Sequence, residues 1–365
     1  MNYKIFARKW RPQSFKKIIG QENVVMAICN SLSLGRIHHA WLFSGSRGVG
    51  KTTIARLLAK CLNCQKGITY TPCRTCITCI EIEKGLCLDF IEVDAASRTK
   101  VEEIKEILDN VYYSPTRGKF KIYLIDEVHM LSRHSFNAFL KILEEPPQHV
   151  KFILATTDIN RIPNTIISRC LHFSLKILSP EKILHFLKYV LQKEKINGDD
   201  DALKMISYYS QGSMRDALNL IEQAISIGNG QINKKNVIDM LGIPTHEKIF
   251  SITFSMLKKN SETTISLLND IRIHIVEWDN VLIEILRYLH HIAMIQSFPL
   301  LWKNQKTEYY TYKINDIKNI VNKNDIQLCY QIILHGRKEL PFAPNPQIGV
   351  EMTLLRAINA IKKTK

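Results

Sequence analysis

The chain has 365 residues, of which 45% are hydrophobic and 23% are charged, close to the usage of ordinary globular proteins. This composition excludes a disordered chain, and at about 150 residues per domain the length predicts two or three domains. Fifty Lys and Arg against 34 Asp and Glu give a net charge of +16, which favours a polyanionic partner, nucleic acid before an anionic membrane. A lysine-rich surface that is merely solvated would give the same surplus.

The start of the chain carries no sign of export. Residues 1–15 are charged and aromatic and lack the apolar core of a secretory signal. No run of about 18 uncharged apolar residues predicts a membrane span. The nine cysteines are therefore expected to be reduced thiols or metal ligands rather than disulfides. We expect a cytoplasmic location and no membrane partner.

Short apolar runs alternate with amphipathic segments through the first half of the chain. This alternation is typical of an α/β fold in which helices cover a parallel sheet. One helix is predicted where apolar residues recur at i, i+3, i+4 and i+7 from Phe136, and it stops before Pro146 because proline lacks the amide hydrogen. The predicted strands are 41–43, 90–93, 122–125, 152–154 and 171–173.

The strand pattern ends near residue 178, and helical patterns follow to the end of the chain. Residues 1–178 are therefore predicted as one α/β domain. A small helical domain is predicted over 179–242, punctuated by Gly and Asn. The pattern stays helical over 243–365, with a last helix predicted over 349–362.

A glycine-rich loop follows the first predicted strand and precedes a helical pattern at 53–59. Its sequence GSRGVGKT fits the phosphate-loop pattern G-x-x-x-x-G-K-[ST] in the strand-then-helix context that the pattern requires. Backbone N–H groups of such a loop and the helix N-terminus bind anionic phosphates. Lys51 is expected to reach the β- and γ-phosphates of ATP, and the Thr52 hydroxyl to ligate Mg²⁺. The predicted nucleotide-binding residues are Gly45, Ser46, Arg47, Gly48, Val49, Gly50, Lys51 and Thr52.

Two carboxylates follow the third predicted strand. The apolar run 122–125 leads into Asp126 and Glu127 at the carboxyl end of a buried strand. A carboxylate here can hold Mg²⁺ through water, and its neighbour can orient and deprotonate an attacking water. We assign Asp126 to the metal and Glu127 to the water. His129 completes a D-E-x-H string, and we expect it to pack and to have no catalytic role.

Six of the nine cysteines lie between residues 61 and 87. The motif Cys73-x-x-Cys76-x-x-Cys79 has the ligand spacing of a structural zinc site, and either Cys61 or Cys64 can supply the fourth thiolate. We favour Cys64, because Cys61 is expected to end the helix after the phosphate loop whereas Cys64 lies beyond it. The cysteines expected to be free thiols are Cys29, Cys87, Cys170 and Cys329.

These motifs together resemble those of the gamma/tau family of bacterial clamp-loader ATPases, in the AAA+ superfamily. The resemblance is dense over 1–242 and weaker over the helical remainder. Besides the phosphate loop and the cysteines, it is carried by RKWRP at 8–12, GQE at 20–22, DAASR at 94–98, residues 124–135, LATTD at 154–158, SRC at 168–170 and GSMRDA at 212–217.

The resemblance implies roles that spacing could not show. Arg169 matches the arginine that reaches the γ-phosphate bound to a neighbouring subunit. Thr157 matches the first sensor of that phosphate, and Arg215 matches the second sensor, on the helical lid. The cysteine segment 61–87 matches the family's zinc module, with Cys64 as the fourth ligand. The adenine is expected near Arg11-Pro12 and 18–20.

The resemblance also implies an assembly. Residues 243–365 would form the collar of a hetero-oligomer, a five-subunit arc with several copies of this chain. ATP binding and hydrolysis would open a sliding clamp and load it onto primed DNA during replication. The DNA would be held through its phosphates, with Lys100 and Lys141 as candidate contacts.

Longer members of the family carry further domains, and this chain is expected to be a short form without the C-terminal extension. Within a DNA polymerase III holoenzyme, a DNA-directed DNA polymerase and nucleotidyltransferase, it would act as an ATPase with no polymerase active site of its own. Two alternatives remain from the residues alone. One is an autonomous AAA+ nucleic-acid motor of the branch-migration type, and the other is a non-catalytic scaffold subunit.

Overall fold

The computed structural model of the protein describes residues 5–97, 110–242, 246–272, 277–298 and 321–361. The chain divides into two compact units, Met1–Ile232 and Asn233–Lys365. Lys100 and the predicted end of the last helix at 362 lie outside the described residues. The division into three domains at 178 and 242 stays a prediction.

The first unit is built on a parallel sheet of five strands in the order β2-β3-β4-β1-β5. The predicted α/β class and all five predicted strands are confirmed, each strand running at least one residue further than its apolar run. The strands are β1 (Ala40–Ser44), β2 (Phe90–Asp94), β3 (Lys121–Asp126), β4 (Val150–Thr156) and β5 (Leu171–Ser174).

Helices cover both faces of this sheet, as the continuous apolar strands require. Trp41 and Phe43 of β1 point into the core on one face, and Ala40 and Leu42 into the core on the other, because side chains alternate along a strand. The helices of the unit are α1 (Phe6–Lys9), α2 (Glu22–Ser33), α3 (Lys51–Leu62), α4 (Ile77–Lys84), α5 (Arg133–Glu144), α6 (Asn164–Ile167), α7 (Pro180–Glu194), α8 (Asp200–Tyr209) and α9 (Met214–Ile227).

Parallel pairing brings the carboxyl ends of the strands to one edge of the sheet. Ser44 at the end of β1 pairs with Thr156 at the end of β4, and Asp94 of β2 pairs with Asp126 of β3. The segments that follow β1, β3 and β4 therefore leave the sheet side by side. This edge is where α/β sheets bind their ligands.

The second unit is helical throughout its described residues. Its core is formed by apolar side chains of the helices from 246 onwards. The last helix begins at Pro346, three residues before the predicted start, because Asn345 accepts a hydrogen bond from the N–H of Gln347 and proline fits the first helical turn. The helices are α10 (Lys234–Leu241), α11 (His246–Leu257), α12 (Ser261–Arg272), α13 (Trp278–Ser297), α14 (Lys323–Glu339) and α15 (Pro346–Ala360).

Among the described helices, none combines the length and the hydropathy needed to cross a bilayer. The longest, α13, has 20 residues and carries charged side chains among its apolar ones. Its buried residues belong to the core of the second unit, so its apolar face is explained by packing.

Candidate functional site

The loop between β1 and α3 has a backbone that requires glycine. Gly48 and Gly50 have φ of +77° and +110°, a left-handed region that other residues avoid. Space is also limited at Gly48, since an added Cβ would lie 1.9 Å from the Ser213 hydroxyl oxygen. The predicted phosphate loop thus combines left-handed glycines with a helix that begins at Lys51.

The Lys51 side chain folds back over this loop. Its ammonium group donates hydrogen bonds to the carbonyl oxygens of Gly45 at 2.7 Å and Ser46 at 2.9 Å. The side chain is buried, and burial lowers the pKa of Lys51, whereas the nearby carboxylates of Glu127 and Asp126 act in the opposite direction. A phosphate bound at the loop would offer the Lys51 ammonium group a charged acceptor, which forms a stronger hydrogen bond than a neutral carbonyl oxygen.

Thr52 and Asp126, the two residues predicted for Mg²⁺, are in contact. The Thr52 hydroxyl donates a hydrogen bond of 2.8 Å to Asp126 Oδ2, although the residues are 74 positions apart. Hydroxyl and carboxylate oxygens are the ligands that Mg²⁺ accepts beside phosphates. The hydroxyl and carboxylate oxygens at the carboxyl end of β3 therefore fit a magnesium site.

Glu127 is held by the segment after β4. Its carboxylate oxygen Oε2 accepts hydrogen bonds from the Thr157 N–H at 3.0 Å and the Thr157 hydroxyl at 2.8 Å. The same oxygen lies 3.4 Å from His129 Nδ1, which also contacts the Thr156 hydroxyl at 3.0 Å. Sequence reasoning missed the contact of His129 with Glu127, although the D-E-x-H string places the two residues two positions apart.

A cavity of about 1050 Å³ opens in front of the loop, and we call it the phosphate-loop cavity. Its wall includes Lys51, Thr52, Asp126 and Glu127 from the sheet edge, and Arg215 near the start of α9. A cavity of this size accommodates a nucleotide. Of the residues expected near the adenine, Arg11, Pro12, Ile18 and Ile19 lie on its wall, whereas Gly20 does not line it.

Arg169 lies outside this wall. Its guanidinium group donates to the Thr165 carbonyl oxygen at 2.9 Å and forms an ion pair of 2.8 Å with Glu144 at the end of α5. About a third of the side chain is exposed. Arg169 does not line the phosphate-loop cavity of its own chain. Thr157 does not line the cavity either, but it donates hydrogen bonds to Glu127, which does.

Four cysteine side chains converge beside α4. The sulfur atoms of Cys64, Cys73, Cys76 and Cys79 all lie within 4.8 Å of one another. In a tetrahedral zinc site with Zn–S bonds of about 2.3 Å, the sulfurs are about 3.8 Å apart, so this group needs only a small contraction to bind zinc. Cys61, near the end of α3, is instead buried in the core on one face of the sheet.

Backbone N–H groups already point at these sulfurs. Cys73 N donates to Cys64 Sγ at 3.5 Å, Cys76 N to Cys73 Sγ at 3.3 Å and Cys79 N to Cys76 Sγ at 3.5 Å. Backbone hydrogen bonds lower the pKa of Cys73 to about 5, and the largest contribution comes from the N–H of Cys76. Burial raises the pKa of Cys79. Four hydrogen-bonded cysteine sulfurs arranged in this way fit a closed metal site.

Comparison with known proteins decides the family. Models described as "DNA polymerase III, delta subunit", "DNA polymerase III clamp loader subunit, ATPase lid domain" and "DNA polymerase III subunits gamma and tau domain III" match residues 20–179, 182–230 and 232–365. The chain is 65% identical over 361 residues to DNA polymerase III subunit gamma of Buchnera aphidicola subsp. Acyrthosiphon pisum (strain APS), covering 99% of this chain and 100% of that protein. The chain belongs to the gamma/tau family of DNA polymerase III subunits.

A second relative of this gamma/tau chain is longer. DNA polymerase III subunit tau of Escherichia coli (strain K12) is 53% identical over 358 residues, which cover 98% of this chain and 56% of that protein. The matched models and relatives confirm the expected clamp-loader ATPase subunit and favour it over the branch-migration motor.

A solved structure of the RuvB Holliday junction branch migration motor of Thermotoga maritima is also similar to this gamma/tau chain. The two are 20% identical with a TM-score of 0.48, and the match covers 68% of this chain and 80% of that one. A likeness at this level says nothing about function.

Proposed function

We propose that this chain couples the binding and hydrolysis of ATP to the opening of a sliding clamp and its loading onto primed DNA. The observation that carries the proposal is the contact between Thr52 and Asp126 beneath a buried Lys51, at the base of the phosphate-loop cavity. Membership of the gamma/tau family supplies the process in which such an ATPase would act.

The proposed roles follow from the positions of the side chains. Lys51 and the loop N–H groups bind the β- and γ-phosphates, and Thr52 and Asp126 hold Mg²⁺, which when bound neutralises charge on the transferring phosphoryl group. Glu127 orients and deprotonates the attacking water. The hydrogen bonds of Thr157 to Glu127 link this base to the segment after β4, so a displacement of either residue would move the other.

Two arginines complete the proposed site from opposite sides. Arg215, on the wall of the phosphate-loop cavity, would contact the γ-phosphate from the lid of the same chain. Arg169 would leave Glu144 and contact the γ-phosphate bound to a neighbouring subunit. Hydrolysis would then depend on assembly, because one cation of the site comes from another chain.

The proposed assembly is a cytoplasmic hetero-oligomer, a five-subunit arc with several copies of this chain joined through 243–365. Its partners are the other loader subunits, the sliding clamp and primed DNA. The net charge of +16 supports contact with DNA phosphates, which suits a machine that acts at any sequence. Lys141 is exposed on α5 and available for such a contact.

Clamp loading by the purified assembly tests this function directly. The chain should co-purify with the other loader subunits, and the complex should transfer the clamp onto a primed circular template only when ATP is present. A non-hydrolysable ATP analogue should support clamp binding without release. A complex that assembles but loads clamp equally well without nucleotide contradicts the proposal.

We also propose that Cys64, Cys73, Cys76 and Cys79 hold one structural Zn²⁺. Four thiolates leave no open position on the metal, so the ion would crosslink the segment between α3 and α4 without taking part in hydrolysis. This segment buries few large side chains of its own, and a metal crosslink would stabilise it.

Cys76→Ser is expected to lower the zinc content of the purified chain from about one equivalent to near zero, because three thiolates bind zinc much more weakly than four. Cys87→Ser is the matched control, since Cys87 is buried in the same region but lies outside the four-cysteine group. Metal content is measured by atomic emission after dialysis. Undiminished zinc in Cys76→Ser would indicate a different ligand set.

A further inference from the structure

A second cavity, of about 440 Å³, lies behind the phosphate loop. It is bounded by the N-terminal segment 8–13, by α3 and by the cysteine segment around α4. Thr53, Arg56, Leu57 and Lys60 contribute one face of α3, since they recur at i, i+3, i+4 and i+7. We call this cavity the basic cleft, because seven basic side chains and one acidic side chain line it.

The carboxylates around the basic cleft do not balance its charge. Four of its cations share three carboxylates. Within the described part of the chain, Arg8, Arg11 and Lys84 have no carboxylate within ion-pair distance. The ion pairs are Lys9–Glu194 at 2.7 Å, Arg56–Glu92 at 2.6 Å, Lys60–Glu83 at 3.0 Å and Arg74–Glu83 at 3.8 Å.

Two guanidinium groups of the basic cleft have N–H donors that could still form hydrogen bonds. Arg56 Nε is buried and has no hydrogen-bond partner among the described residues, which costs free energy unless a ligand supplies an acceptor. Arg11 is half-buried. Burial is the main cause that lowers the pKa of Arg11, and the positive charge of Arg56 lowers it further. Guanidinium groups that keep free N–H donors in a cavity are typical of a site for phosphate oxygens, which their planar forks bind in pairs.

The basic cleft extends well beyond the phosphate-loop cavity. Arg8, Arg11, Arg56 and Lys84 line both cavities, whereas Lys9, Lys60 and Arg74 line only the cleft. Lys60 lies nine residues after Lys51, about 13 Å further along the helix at 1.5 Å per residue. A nucleotide with its phosphates at the start of α3 therefore leaves this end of the cleft free.

We propose that the basic cleft is a second phosphate-binding site, which takes a ligand with two or more linked phosphate groups. The ligand's oxygens would accept from the free N–H groups of Arg56 and Arg11 and lie among the charges of Lys84 and Arg74. The source of the phosphates is either a free polyphosphate or the backbone of a nucleic-acid strand. The site adjoins the one that hydrolyses ATP and shares Arg8, Arg11, Arg56 and Lys84 with it.

Calorimetric titration of the full chain with inorganic tripolyphosphate tests this proposal. The phosphate-loop cavity is first saturated with Mg²⁺ and a non-hydrolysable ATP analogue, so that remaining binding reports on the basic cleft. One site per chain is expected. Arg74→Asn should weaken the binding about tenfold, since it removes a charge-assisted hydrogen bond. Asn is chosen because it adopts the left-handed backbone of Arg74, whose φ is +60°.

Lys66→Asn is the matched control, because Lys66 is exposed in the same segment and does not line the basic cleft. It should leave the affinity within about twofold. Lys84→Gln, at the end of α4, provides a second variant should Arg74→Asn fail to fold, and it should also weaken binding about tenfold. Equal melting temperatures show that the variants fold.

Competition with a single-stranded oligonucleotide distinguishes the two sources. Displacement of tripolyphosphate supports the proposal with backbone phosphates as the ligand, and failure of displacement supports it with a free polyphosphate. Absence of binding once the phosphate-loop cavity is saturated overturns the proposal. So does an equal loss of affinity in Lys66→Asn and Arg74→Asn, which would mean that surface charge alone attracts the anion.

Discussion

Arg169→Ala is expected to lower the DNA-stimulated ATP turnover of the assembled loader by about 10³-fold or more, the effect of removing an arginine supplied in trans. The guanidinium group stabilises negative charge on the transferring phosphoryl group, and alanine offers nothing in its place. ATP binding by the isolated chain should be unaffected, because Arg169 does not line the phosphate-loop cavity of its own chain.

Arg161→Ala is the matched control for this measurement. Arg161 is a nearby, largely exposed arginine in an ion pair of 3.2 Å with Asp158, and its loss should leave turnover within about threefold. Steady-state phosphate release with primed DNA and clamp measures the effect. Full stimulated turnover by the Arg169→Ala assembly would contradict the proposed role of Arg169 at a neighbouring subunit's site. An isolated, dilute chain that hydrolyses ATP as fast as the complete loader would contradict it as well.

The architecture of the first unit is predictable because its strands are buried on both faces. A buried parallel strand is a nearly continuous apolar run, and β4 illustrates this with seven buried residues in a row. The ends of the strands are less predictable. Lys121 and Asp126 are polar yet belong to β3, since backbone pairing to the neighbouring strands and not side-chain hydrophobicity decides where a strand ends.

The local parts of the candidate site are likewise readable from sequence. The phosphate loop is a contiguous stretch whose glycines have a conformational cause, visible in the left-handed φ of Gly48 and Gly50. The choice between Cys61 and Cys64 also follows from local structure. The helix α3 ends at Leu62, so Cys61 points into the core, whereas Cys64 is free to turn toward the other three cysteines.

Contacts between distant segments could not be predicted in this way. Glu127 meets Thr157 only because β3 and β4 are neighbours in the sheet, and Arg169 meets Glu144 only because α5 and α6 pack together. The basic cleft is a similar case, since its cations come from three separate segments. The net charge reveals a surplus of cations but not where they gather.

Lys51→Ala is expected to weaken binding of an ATP analogue by about 10²- to 10⁴-fold, because two charge-assisted hydrogen bonds to phosphate are lost at roughly 1.5–3 kcal/mol each. The clamp-loading activity of an assembly that contains the variant should fall to the background without ATP.

Lys66→Ala, which removes an exposed lysine from the segment after α3, is the control for Lys51→Ala. Binding of a fluorescent ATP analogue and the melting temperature are measured for both variants. Lys51→Ala leaves the carbonyl oxygens of Gly45 and Ser46 without their donor, so a small loss of stability should accompany the loss of affinity. Unchanged affinity in a folded Lys51→Ala chain would mean that the loop N–H groups hold the phosphates alone, and the proposed role of this lysine would fall.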